Sequence, residues 1–156
     1  MEAPKIHPEH EWLAQFVGEW VSGADASGKP SDCPSKEVGR MIGGIWLLLE
    51  GAGEMPGFPE FRYQMTLGFD AAKGRFVGTW VGSMSGNFWI YDGELDAERG
   101  VLTLESEGPA MNDPSRRAKY RDVVTLHSAG HRSLRGMMQN SEGAWEAFME
   151  SHHFRA

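Results

Sequence analysis

The chain has 156 residues and a formal charge of −7, from 15 basic and 22 acidic side chains. That length gives one domain, residues 1–156, with a core that needs no staples, and the acidic surface without a basic run excludes nucleic acid as a partner. A lone cysteine, Cys33, allows no internal disulfide; no apolar run reaches membrane-spanning length and the first residues form no signal core, so the expected address is cytoplasmic with no membrane partner.

In chain order, His7–Val17 is expected to be a short helix. Pro8 suits its first turn, Glu9 and Glu11 suit its positive end, and Trp12, Leu13, Phe16 and Val17 make one apolar stripe before Gly18. Strands then run from about residue 19 to about residue 154. Glu19–Ala26 is the first, and Ala26–Ser35, with its Ser, Gly and Pro, reads as a loop. Lys36–Ile42 and Ile45–Glu54 meet at Gly43-Gly44, a hairpin signal, and Met55–Pro59 is another loop. The meander continues through Phe61–Phe69, Arg75–Met84, Phe88–Leu95, Val101–Glu107, Lys119–His127, His131–Gln139 and Ala144–Phe154. Its turns share a pattern: Asp70 to Gly74 and Asp96 to Gly100 open on Asp and close on Gly, and Asn140 to Gly143 is a shorter version.

A meander this long exposes unpaired edges unless it closes. The expected fold is therefore all-β, a closed antiparallel barrel of about ten strands around a small apolar cavity, with one N-terminal helix. Period-two alternation assigns faces. Phe76, Gly78, Trp80, Gly82 and Met84 share the inner face of one strand; Asn87, Trp89, Tyr91, Gly93 and Leu95 share that of the next. Large rings alternating with glycine leave both walls and space. Trp20, Met65, Trp80, Trp89 and Tyr91 are the expected lining, and Arg121 or His153 the polar contacts.

The other chemistry candidates are weaker. His152 and His153 lie in the last strand, so one of them points inward. His7 and His10 lie three apart at the helix start, a spacing that does not by itself make a metal site. His127 and His131 flank Ser128-Ala129-Gly130 and meet across a hairpin, but two ligands do not make a stable metal site. Glu50, Glu54, Glu105, Glu107 and Asp113 cannot be paired by alternation alone. There is no Gly-x-Ser-x-Gly, phosphate-cradling loop or dinucleotide fingerprint.

Gly18-Glu19-Trp20 after a short helix resembles the lipocalin and calycin signature. Met65-Thr-Leu-Gly-Phe-Asp70, Arg75-Phe-Val-Gly-Thr-Trp-Val-Gly-Ser83, Trp89-Ile-Tyr-Asp-Gly93, Leu102-Thr-Leu-Glu-Ser-Glu-Gly-Pro109 and Tyr120-Arg-Asp122 resemble a bacterial family of uncharacterised proteins. Asn87 stands where many of its members carry His. The resemblance spans roughly Glu11 to Phe154 and implies a lipocalin-like barrel without an assigned activity. A more distant resemblance is to nitrobindin-type haem barrels, which begin with a helix and Gly-x-Trp-x-Gly; here the second glycine is displaced to Gly23. It implies a late-strand His, His152 or His153, as haem ligand or base. The leading expectation is a protein that binds a small apolar molecule without a cofactor. Haem binding or catalysis in the same cavity is the alternative, and a homodimer through an exposed strand or the Pro-rich loops stays open.

Overall fold

Short turns reverse the chain at regular intervals. Asp70 Oδ1 accepts the amides of Ala72 (3.0 Å) and Lys73 (3.2 Å), which holds the turn that leads into Gly74. Gly43 and Gly44 both adopt positive φ, 59° and 73°, as a two-residue hairpin turn requires. The computed structural model describes residues 1–156, and the side chains of all of them except Phe58 and Pro59. Helix α1 (Pro8–Ala14) precedes ten strands: β1 (Gly18–Ala24), β2 (Pro30–Ile42), β3 (Trp46–Met55), β4 (Phe58–Asp70), β5 (Arg75–Gly82), β6 (Ser85–Asp96), β7 (Val101–Pro109), β8 (Arg117–Ser128), β9 (His131–Gln139) and β10 (Trp145–Arg155).

Each strand pairs antiparallel with the next, and β10 returns to β1, closing the barrel. Trp20 opposes Arg155 and Val21 opposes Phe154 across that seam. The expected all-β meander barrel with one N-terminal helix is the fold observed. Among the described residues, no helix is long and apolar enough to cross a membrane.

Of the boundaries that differ from expectation, three have a clear local cause. The helix stops at Ala14 rather than Val17, because Phe16 and Val17 bond three residues back, to Leu13 (3.0 Å) and Ala14 (3.2 Å), and tighten the last turn. The expected loop 26–35 is mostly strand. Asp25 Oδ1 gathers the amides of Ser27 (2.9 Å) and Lys29 (3.0 Å) into a turn, after which β2 starts at Pro30. Its two prolines sit where a strand tolerates them: Pro30 is the first residue, and Pro34 lies where the register slips between Ser22 and Ala24. The loop expected over Met55–Pro59 shrinks to the turn at Pro56-Gly57.

Helix α1 plugs one end of the barrel. Leu13 and Phe16 are fully buried among Leu47, Leu67 and Phe76. The Trp20 indole donates to the Phe16 carbonyl at 2.9 Å. The Arg155 guanidinium lies 4.1 Å from the Trp20 ring centroid and donates to the carbonyls of Val17, Gln15 (2.7 Å) and Ala129 (3.0 Å). One side chain from β10 thus ties together the helix end, β1 and the β8–β9 turn. Farther along the barrel a smaller cluster, Ala110, Ala118 and Tyr120, packs against Trp89 and Met138.

Candidate functional site

Above Phe16 the barrel is hollow. The cavity holds about 360 Å³, within the range of roughly 300–1,000 Å³ typical of small-molecule pockets. Its wall is mainly apolar: Leu49, Phe61, Met65, Leu67, Trp80, Val124 and Leu134 come from β3, β4, β5, β8 and β9. Ser31, Cys33, Met84 and Met149 line it toward the end away from α1.

A polar group interrupts this wall. Glu37 on β2 and Arg132 on β9 are 2% and 3% exposed and form an ion pair. The Tyr63 hydroxyl donates to the other Glu37 oxygen, and the hydroxyls of Ser22 and Ser35 are 2.5 Å apart beside them. Parity places all of these inside: Ser35, Glu37 and Gly39 alternate with outward Lys36, Val38 and Arg40, and Arg132 and Leu134 alternate with His131 and Ser133. The Arg132 guanidinium packs 4.6 Å from the Trp20 ring and 5.1 Å from the Phe16 ring, which partly offsets its loss of water. Burial lowers its pKa to about 9, so it remains a cation at neutral pH. Burial also raises the Tyr63 phenol above its ordinary value and keeps it a proton donor.

His153 completes the group. It is 4% exposed, lines the cavity, and neither ring nitrogen has a hydrogen-bond partner among the described residues. Burial, then the nearby Arg132 charge, hold its pKa well below the ordinary 6.5, so the ring is neutral. Arg132 Nε is likewise unpartnered. Buried polar atoms without partners are uncommon in folded proteins, and these three lie at the edge of an apolar hollow. The arrangement offers a ligand an apolar wall, a cationic donor and a neutral imidazole that can donate or accept.

The expected lining residues separate into groups. Met65, Trp80 and His153 line the cavity. Trp20 lies beneath it, between the two guanidiniums. Tyr91 points inward but is buried in the core, where its hydroxyl donates to Asp122. Trp89 packs edge-on against Tyr120, ring centroids 4.8 Å apart, outside the cavity lining. Arg121 lies on the outer face of β8, 4.0 Å above the Trp145 ring and 3.4 Å from Glu105, and does not reach the cavity. Inward Tyr120 and Asp122 flank it, so alternation turns it outward. His152 faces the outer wall beside His131 and His127. His7 and His10 cap α1, the His7 amide donating to His10 Nδ1 at 2.9 Å. Glu50 pairs with Arg40 on the exterior at 3.4 Å.

Glu37, Arg132, Tyr63 and the two serines escaped the sequence reading. A signal was present for Arg132, which shares its strand face with Leu134, Gly136 and Met138, but not for Glu37, whose face carries Ser35, Gly39 and Met41. What sequence could not supply is that β2 and β9 bring them together across the barrel.

A family model described as protein of unknown function (DUF1579) matches residues 5–155. No curated protein matches the chain.

Proposed function

The chain belongs to the DUF1579 family, of unknown function, and we propose that its barrel binds a small, largely apolar molecule carrying one polar head. One observation carries this reading: a hollow with aromatic and aliphatic walls ends on unpartnered polar atoms, both nitrogens of His153 and Nε of Arg132. The apolar body of the ligand packs against Trp80, Met65 and Phe61. Its head, a carboxylate, carbonyl or hydroxyl, meets Arg132 and His153 and supplies the missing hydrogen bonds. A dry cavity of about 150 Å³ already takes benzene, so this one has room for more than a single ring or for a medium-length chain.

Haem is the second reading, and the neutral, unpartnered ring of His153 favours it, because an axial ligand needs a free lone pair. His152 does not take part, since it faces the outer wall. The modest volume and the adjoining Glu37–Arg132 pair leave little room for a macrocycle, so the smaller ligand leads. A base role for His153 fits poorly, because burial weakens its basicity.

The test is native mass spectrometry of protein purified without refolding, together with titration by decanoate and decanol read by the change in tryptophan fluorescence, with Trp80→Phe as the control for the cavity wall. Saturable one-to-one binding that weakens in His153→Asn supports the proposal. Binding of neither probe, with no retained small molecule, refutes it. A Soret band on adding haem, lost in His153→Asn, moves the assignment to haem.

A further inference from the structure

Three imidazoles from three neighbouring strands meet on the outer wall, across β10 from the cavity. His127 lies near the end of β8, His131 begins β9 and His152 belongs to β10. Leu126 opposes inward Arg132, so alternation turns His127 to the face that His131 occupies, and the register slip between Leu126 and Ser128 leaves it as the extra residue of a bulge. Phe154 opposes His131, and His152, two residues earlier, shares the face of Phe154. The ligating nitrogens of the three histidines lie within 4.8 Å of one another. His131 Nε2 is 2.8 Å from His152 Nδ1, and the His127 and His131 rings stack at 4.4 Å.

We propose that His127, His131 and His152 bind one divalent transition-metal ion of the zinc type. Neutral imidazole suits such ions and not hard cations, which take oxygen ligands, and three imidazoles with a fourth position left to water are the donor set of an open zinc site. Zinc–nitrogen bonds of about 2.0–2.1 Å place tetrahedral ligand nitrogens roughly 3.3 Å apart. The separations here, from 2.8 Å to at most 4.8 Å, bracket that value, so small ring rotations complete the site.

The surroundings suit a metal as well as the ligands do. His152 Nδ1 faces the cluster, and the Glu150 carboxylate lies 4.0 Å from its Nε2, a nearby negative charge that favours a bound cation. The buried hydroxyl of Ser133 is 2.8 Å from His127 Nε2 and orients that ring. Phe154 stacks on His131 at 4.3 Å and covers one side. Without an ion, a shared proton can bridge one imidazole pair, His131–His152, and leaves the third ring facing that pair. A metal satisfies all three at once. The site is independent of the cavity reading, because it uses neither His153 nor Arg132.

The experiment uses tag-free, chelator-stripped full-length protein, titrated with zinc against a chromogenic chelator and with cobalt by visible absorption. One ion per chain, with the intense bands of tetrahedral cobalt, is the expected result. His127→Asn and His131→Ala should each weaken binding by at least about tenfold, since removing even an outer partner of a ligand costs that much. His127 is exposed, so its variant should keep the wild-type circular dichroism spectrum. His7→Asn leaves the three rings in place and should bind as the wild type does. Absence of saturable binding, binding retained in the His127→Asn/His131→Ala double variant, or loss of binding in His7→Asn overturns the proposal.

Discussion

Replacing Glu37 by Gln would strand the guanidinium of Arg132 inside the barrel. Both groups are almost fully removed from water and are paired with each other. The amide preserves size and still accepts from Tyr63, so the change is one of charge. Removing one partner of a buried pair costs about 3–5 kcal/mol. That is a large part of the roughly 5–15 kcal/mol that holds a typical domain folded. At about 2–4 °C per kcal/mol for a chain of this size, E37Q should melt roughly 6–20 °C below the wild type. The double variant Glu37→Met/Arg132→Met removes both charges together. Apolar replacement of a whole buried pair is neutral or stabilising, so the double variant should recover most of the loss. Thermal and urea unfolding at pH 7, followed by circular dichroism, measure both. Octanoate should raise the melting temperature of E37Q more than that of the wild type, because the freed cation borders the cavity. Equal melting of E37Q and the double variant, or an E37Q indistinguishable from wild type, would refute the reasoning.

Asp122 gives a test in pH. Burial raises its pKa above the ordinary 3.8, against the smaller opposing effect of its hydrogen bond from Tyr91. The native chain therefore holds this proton more tightly than the unfolded chain, and the stabilisation is greatest in acid and declines as pH rises through the elevated native value. Asp122→Asn should gain stability relative to wild type at pH 7–8 compared with pH 4; equal differences at both would contradict this. Gly39 has room for no side chain, since a Cβ there would run into the Phe16 carbonyl and come within 3.0 Å of Leu49 Cδ2. Gly39→Ala should push α1 off the barrel end at a cost of about 1–3 kcal/mol, and an unchanged urea midpoint would count against the tight plug. Cys33 lines the cavity, so a bound ligand should slow its labelling by a bulky maleimide; labelling at an unaltered rate in saturating ligand would argue that the molecule binds elsewhere.

Alternation in the sequence reveals which side of a strand a residue faces, and little more. It correctly turns Trp80 and Tyr91 inward and leaves Phe88 and Ile90 exposed on the outside. It does not give depth. Tyr91 and Trp89 point inward at levels filled by Phe76, Leu104 and Tyr120, whereas Trp80 borders open space. Partners across the barrel are equally hidden, because Glu37 and Arg132 meet only after eight strands have closed between and around them. The same limit applies to the three histidines: His127 and His131 are neighbours in any hairpin, but the third ring arrives from β10, 21 residues beyond His131. The extra length of β2 was obscured by Pro30 and Pro34, which read as loop until their places at a strand start and a register slip are known.

The seam between β1 and β10 joins segments separated by more than a hundred residues, and β10 also carries Ser151 and His153 on the cavity wall. A growing polypeptide on the ribosome therefore has two bare sheet edges and a gap in its container until its last strand emerges. Loop closure over that span is among the slow steps of folding. The hollow cannot be enclosed before β10 is made, and a chain cut short before β10 would present a cleft with sticky borders, prone to pairing with its neighbours.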